Sequence, residues 1–173
     1  MKQSLCVAAA LSLFWLSVSA GDNKLNVCDF QDYEIGHVFK VWNVWGNDTQ
    51  STAVVEADPE GGDNKVLHVT SRNWNDYIQF ELDESLAGPE FSVKYQTVNF
   101  SYRLHSNDNS TWKDFDALLG NDWLTNRNEF LDHGGLGAWK QLSFNLKDAP
   151  EENSSHTFAL GFNSDNAEYY IDN

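Results

Sequence analysis

The chain has 173 residues, with 26 Asp and Glu against 11 Lys and Arg, a formal net charge of −15 at neutral pH. Such acidity argues against nucleic acid and anionic membrane as partners, because both would be repelled. It suits an uncharged or mildly acidic partner such as carbohydrate, and a 41% hydrophobic content is enough for one packed domain.

Met1-Lys2 give a positive start, residues 5–18 an apolar run, and Val18-Ser19-Ala20 the small residues of a cleavage site. This pattern predicts a secretory signal peptide over 1–20, too short and wrongly flanked to span a bilayer, and so a secreted or periplasmic protein. The mature domain is then 21–173. Cys28 is its single cysteine, which excludes an intrachain disulfide, and the run around it (25–28) reads as a site for a buried, inert thiol. A disulfide-free secreted domain draws its stability from elsewhere, and a structural metal is one candidate.

After a short polar lead, 26–30 reads as a first strand and 32–36 as a turn. Residues 37–45 follow with Val38, Val41, Trp42 and Trp45, and 51–57 is a β-branched strand stopped by the turn cluster Asp58-Pro59-Glu60-Gly61-Gly62-Asp63. The stretch 64–82 reads as two strands joined by a polar turn. Leu67 and Val69 alternate with His68 and Thr70, and Ile78, Phe80 and Leu82 alternate with Tyr77, Gln79 and Glu81. The turn between them, 71–76, leaves Trp74 among Asn and Asp, with Tyr77, Gln79 and Glu81 continuing along the wet face.

Ala87-Gly88-Pro89 breaks this pair. Residues 96–104 give a strand with Val98, Phe100, Tyr102 and Leu104 on one face, and 112–119 a further one. Residues 121–137 look like a loop containing Trp123. Residues 139–146, 157–162 and 168–172 are the last strands. Eight or nine short strands with polar turns and no convincing helix predict an all-β jelly-roll β-sandwich, galactose-binding-domain-like. The sequence stops inside the last predicted strand, as an N-terminal piece of a longer protein would.

Six tryptophans follow the leader: Trp42, Trp45, Trp74, Trp112, Trp123 and Trp139. Indole faces stack on the apolar faces of sugar rings, whose edges want amide and carboxylate partners. Trp74 and Tyr77 are the leading stacking candidates, with Trp45 and Trp112 behind them. Asn73, Gln79 and Arg103 are candidates to hydrogen-bond sugar hydroxyls. Trp139 reads as structural and Trp42 as ambiguous. Glu81, Asp83 and Glu84 cluster at a strand end rather than across a cleft, and Asp114 with Asp116 is a pair that arises readily in an acidic chain, so no glycosidase carboxylate pair stands out. The five histidines lack metal spacing. Asp29, Gln31, Asp63, Asn64, the Lys65 carbonyl and Asp172 supply hard oxygen donors for calcium, although solvated surface is the simpler reading on composition alone.

Cys28-Asp29-Phe30-Gln31-Asp32 with Gly36, then Ala57-Asp58-Pro59, the strand 64–69, Asn73-Trp74 and the closing 163–173 resemble carbohydrate-binding modules of the family 4, 9 and 22 type, CenC-like, as attached to family-10 endo-1,4-beta-xylanases of gut bacteria. The resemblance implies a jelly roll with a concave face or cleft for a β-1,4-linked glycan, xylan first, and a structural calcium held by Gln31, Asp63, Lys65 and Asp172 with the Asp29 carbonyl. That family carries glutamate after the Phe of the first strand. Gln31 here removes one negative ligand, which weakens the implied site. Non-catalytic binding of a plant cell-wall polysaccharide is the expected function, with a covalently linked glycoside hydrolase beyond residue 173 as the alternative. A self-contained hydrolase and a protein-interaction sandwich remain further readings.

Overall fold

Every long strand carries apolar residues at alternate positions, so two sheets stacked face to face bury both rows at once. The computed structural model describes residues 24–25, 28–82, 97–107, 114–124, 137–146, 157–163 and 166–172. A six-stranded sheet contains β1 (Lys24–Leu25), β3 (Thr52–Ala57), β4 (Lys65–Ser71), β6 (Thr97–Asn107), β9 (Trp139–Asn145) and β11 (Ala167–Asp172). Its order runs β1-β6-β11-β4-β3, with β9 also paired to β6. A five-stranded sheet has the order β2-β5-β10-β7-β8, built from β2 (Val41–Asn43), β5 (Asp76–Glu81), β7 (Asp114–Leu119), β8 (Asp122–Leu124) and β10 (Thr157–Asn163). The pairing is antiparallel except for β1 against β6. This is the all-β sandwich predicted from the strand spacing.

The predicted faces form the core. Val98, Phe100, Tyr102 and Leu104 of β6 meet Phe115 of β7, which lies 4.9 Å from the Tyr102 ring and 5.4 Å from Tyr169. Phe158, Leu160 and Phe162 of β10 lie between the inward rows of β5 and β7. Each such side chain contributes roughly 1.5–3 kcal/mol on burial. Cys28 packs against this core, and its burial, with Asp29 and Asp32 adding to the effect, pushes its thiol up to about 12. In the native chain at pH 8 a thiol reagent therefore labels Cys28 on the order of ten- to a hundredfold more slowly than in the unfolded chain. Equal labelling rates would contradict this placement.

Three expectations need correction. The two strands of 64–82 are joined by a turn but are not paired with each other: β4 belongs to the six-stranded sheet and β5 to the five-stranded one. Leu67 and Val69 face Ile78 and Phe80 across one core, so their two rows are buried best from opposite layers, and the turn 72–75 is a corner between sheets. Asn75 takes a left-handed conformation there, φ 62°, which asparagine tolerates better than other non-glycine residues. The predicted first strand 26–30 gives way at its end to a 3-10 turn, Phe30–Asp32, which the Asp29 side chain caps by accepting from the Gln31 amide N–H at 2.9 Å. The predicted loop 121–137 contains the short strand β8, turned out of β7 at Gly120, φ 62°. The predicted leader, Trp112, Asp83 and Glu84 lie outside the described residues.

Candidate functional site

The inner face of the five-stranded sheet builds the core, so its outer face is free to be polar. It is not uniformly so. Tyr77, Leu118 and Ala159 form a second buried cluster there, with Trp42, Val44 and Trp123 packed against it. Register explains why they meet. Trp42 of β2 pairs with Tyr77 of β5, Tyr77 with Gly161 of β10, and Gly161 with Asp116 of β7. Ala159 pairs with Leu118, and Leu118 with Trp123 of β8. Alternation then sends all of them to one side.

Tyr77 lies across β10 in the gap that Gly161 leaves. A Cβ on Gly161 would stand 2.6 Å from Tyr77 Cζ and 2.9 Å from Cδ1. From there the Tyr77 hydroxyl donates to Asp116 Oδ2 at 3.3 Å, and the Asn163 amide nitrogen donates to the same oxygen at 2.9 Å. The Trp42 ring sits 5.5 Å from Tyr77 at 31°, and the Trp123 ring 5.8 Å at 78°. Tyr77 is 0% exposed, which corrects the expectation of a wet-face stacking residue. It is the buttress between two half-buried indoles. Trp42 Nε1 and Asn163 Oδ1 are buried without a hydrogen-bond partner among the described residues. Below this cluster the face is polar: the Lys40 ammonium donates to Gln79 Oε1 at 3.4 Å, and the Gln79 amide donates to Glu81 Oε1 at 2.6 Å.

Trp74 and Trp45 sit on two loops joined at one end of this sheet. The buried Asp76 carboxylate accepts from Asn43 Nδ2 at 2.8 Å, from Ser51 Oγ at 2.5 Å and from the Thr49 hydroxyl. Asn43 Nδ2 also donates to the Trp74 carbonyl at 2.9 Å, and Asn43 Oδ1 accepts from the Trp45 N–H at 3.0 Å. Asn73 Nδ2 closes the pair by donating to the Asp48 carbonyl at 3.2 Å. Asn73 thus holds a loop through its amide nitrogen. Trp45 is 72% exposed, and Trp74 is half-buried.

Arg103 does not join these residues. It lies on the outer face of the other sheet, where Tyr170 and Trp139 are its cross-strand neighbours. Its Nη1 stands 3.0 Å from Glu60 Oε1 as an ion pair, and its side chain is 19% exposed. Nearby, His68 stacks on Tyr170 at 4.9 Å and its Nδ1 stands 3.1 Å from Glu56 Oε1. This second outer face is knit together by charge, in contrast to the aromatic one. Sequence reasoning missed Trp123, Asp116, Asn163 and Gly161. The signal available was the alternation of Asp116, Gly161 and Asn163 with the core residues Ala117, Leu160 and Phe162, and of Trp123 with Leu124.

The residues assigned to calcium fall into two groups. Asp63 is exposed. Gln31, Asn64, Lys65 and Asp172 meet, but through nitrogen as well as oxygen. Gln31 Nε2 donates to Asn64 Oδ1 at 2.6 Å and to the Lys65 carbonyl at 3.0 Å, and the Lys65 ammonium donates to the carbonyls of Gln31 and Tyr33 at 2.8 and 2.6 Å. Calcium takes an all-oxygen shell. The carbonyl it would need already faces an amide N–H, beside an ammonium, so this donor set does not fit the ion. Among the described residues no group of three or more His, Cys, Asp or Glu side chains is placed to hold a metal.

The chain is thus a two-layer, almost wholly antiparallel sandwich with an aromatic cluster outside its core. The solved structures it matches share the sandwich fold. The C-terminal family 22 carbohydrate binding module of Clostridium thermocellum Xyn10B superimposes with a TM-score of 0.50 at 12% identity, covering 83% of this chain and 87% of that one. The N-terminal CBM22-1-GH10 modules of Clostridium thermocellum endo-1,4-beta-D-xylanase 10B, complexed with xylohexaose, give 0.49 at 15% identity. That match covers 84% of this chain, which spans only 26% of that structure. The CBM22-1 xylan-binding domain of Paenibacillus barcinonensis Xyn10C gives 0.44 at 14% identity, covering 81% and 93%. At these identities the likeness is one of fold. No family model matches the sequence, and no curated protein matches it.

Proposed function

We propose that this chain binds a β-1,4-linked plant cell-wall polysaccharide, xylan first, on the outer face of its five-stranded sheet, without cleaving it. One observation carries the reading: Trp42 and Trp123 are held at a fixed angle by Tyr77 on a sheet face that the core does not need. A half-buried aromatic cluster on such a face marks an interaction surface. Two indoles offer flat apolar area to successive sugar rings. Gln79 with Lys40 and Glu81 continues the polar edge. The fold shared with a family 22 carbohydrate binding module supports the reading. So does the apolar leader, which would deliver the domain outside the cell, where such polysaccharides are.

Affinity electrophoresis tests it. The chain should be retarded in gels containing soluble xylan, less so with other β-glycans. Trp42→Ala and Trp123→Ala should each lose retardation, and Arg103→Ala should keep it. Migration unaffected by any polysaccharide would overturn the reading. Trp74→Ala and Trp45→Ala are expected to weaken binding by a few fold only, because their loops lie at one end of the face; isothermal titration would show a larger loss if they were the main platform.

A further inference from the structure

We infer that Gln31 and Lys65 close this fold by an internal clasp of amide and ammonium donors, so that the chain needs no metal at the place where its resemblance sets calcium. Three segments distant in sequence meet there: the turn after Asp29, the β3–β4 turn and the end of β11. The Gln31 side chain behaves as a stretch of backbone. Its Oε1 accepts from the Lys65 N–H at 3.1 Å while its Nε2 donates to the Lys65 carbonyl at 3.0 Å, a reciprocal pair of the kind that joins neighbouring strands.

Lys65 returns the contact. Its ammonium bridges the carbonyls of Gln31 and Tyr33, two charge-assisted bonds that hold the 3-10 turn against the start of β4. Asn64 completes the clasp. Its Oδ1 accepts from Gln31 Nε2, and its Nδ2 donates to Asp58 Oδ2 at 3.0 Å and Asp172 Oδ2 at 3.1 Å. Asp172 is the last residue of β11, the strand between β4 and β6, so the clasp ties the centre of the six-stranded sheet to the N-terminal turn.

A bound calcium ion would perform this joining by drawing oxygens from all three segments onto one positive centre. Here the positive centre is covalent: the Lys65 ammonium takes the Gln31 and Tyr33 carbonyls, and the Gln31 amide takes the Lys65 carbonyl and the Asn64 oxygen. Replacing a carboxylate by Gln31 is then the step that makes the clasp self-sufficient, because a carboxylate has no N–H to offer those two oxygens. The inference is independent of what the aromatic face binds.

Thermal melts of the chain in excess EDTA and in millimolar calcium test it. The inference predicts the same Tm in both, within about 1 °C. A site of micromolar affinity would instead raise Tm by roughly 10 °C in calcium, and such a rise would overturn the inference. Lys65→Met and Gln31→Met should each lower Tm by roughly 3–8 °C, equally in EDTA and calcium. A variant as stable as the parent would overturn it too. Should either variant fail to fold, the comparison of the parent in EDTA and calcium still decides.

Discussion

Gly161→Ala is expected to lower affinity for soluble xylan roughly thirtyfold or more, although it adds a single methyl group and touches no sugar. The reason is spatial. The new Cβ would fall 2.6 Å from Tyr77 Cζ and closer still to Cε1, a separation that carbon atoms do not sustain. Tyr77 has to leave its bed across β10. In leaving it gives up the bond to Asp116 and withdraws support from both Trp42 and Trp123. Losing a central aromatic anchor costs about 2 kcal/mol or more in binding, and each 1.4 kcal/mol is tenfold. Overpacking also costs about 1–3 kcal/mol in stability, so the measurement pairs titration calorimetry with a melt. Tyr77→Phe, which keeps the ring and removes the hydroxyl, should fold normally and lose far less affinity. Equal binding by Gly161→Ala and the parent would show that the aromatic face is not the site.

The second large effect is on stability. Asp76→Ala is expected to destabilise the chain by about 3–5 kcal/mol, the cost of three buried donors left without their acceptor, lowering Tm by on the order of 10 °C. Asp76 is fully buried and accepts from three side chains, Asn43, Thr49 and Ser51. Alanine leaves these donors facing a cavity, and each unsatisfied buried donor costs about 1–3 kcal/mol. Ser51 Oγ also accepts from the Arg72 N–H at 2.8 Å, so the corner between the sheets loosens with it. Thr49→Val, which removes one donor and keeps the carboxylate, should cost about 1–2 kcal/mol. Chemical denaturation measures both. An Asp76→Ala chain as stable as its parent would mean that the loops bearing Trp45 and Trp74 are held by something else.

Much of this was legible in the sequence, and the gaps have physical causes. Alternation in 97–104, 139–146 and 157–162 specifies which faces are buried, and those faces form the core. Alternation alone does not say which sheet a strand joins. Both 65–71 and 76–81 satisfy it equally as a hairpin or as two layers of a sandwich, and only the shared core of Leu67, Val69, Ile78 and Phe80 decides. Nor does alternation reveal that Arg103, grouped with Asn73 and Gln79 as a hydrogen-bonding candidate, lies on the other sheet. Alternation sets Tyr77 outward, and outward positions are usually exposed. Its burial depends on Gly161, more than eighty residues away in sequence, and on indoles from two further strands. In the sequence, Gln31 shows only as a missing carboxylate. That its nitrogen completes a clasp follows from contacts with Asn64 and Lys65.

The most direct measurement of the central claim is a calorimetric titration of the chain with xylohexaose, beside Trp42→Ala and Arg103→Ala. Binding heat in the parent and in Arg103→Ala, and none in Trp42→Ala, is the predicted result. No binding by the parent, or a loss confined to Arg103→Ala, would contradict the assignment of the glycan to the aromatic face.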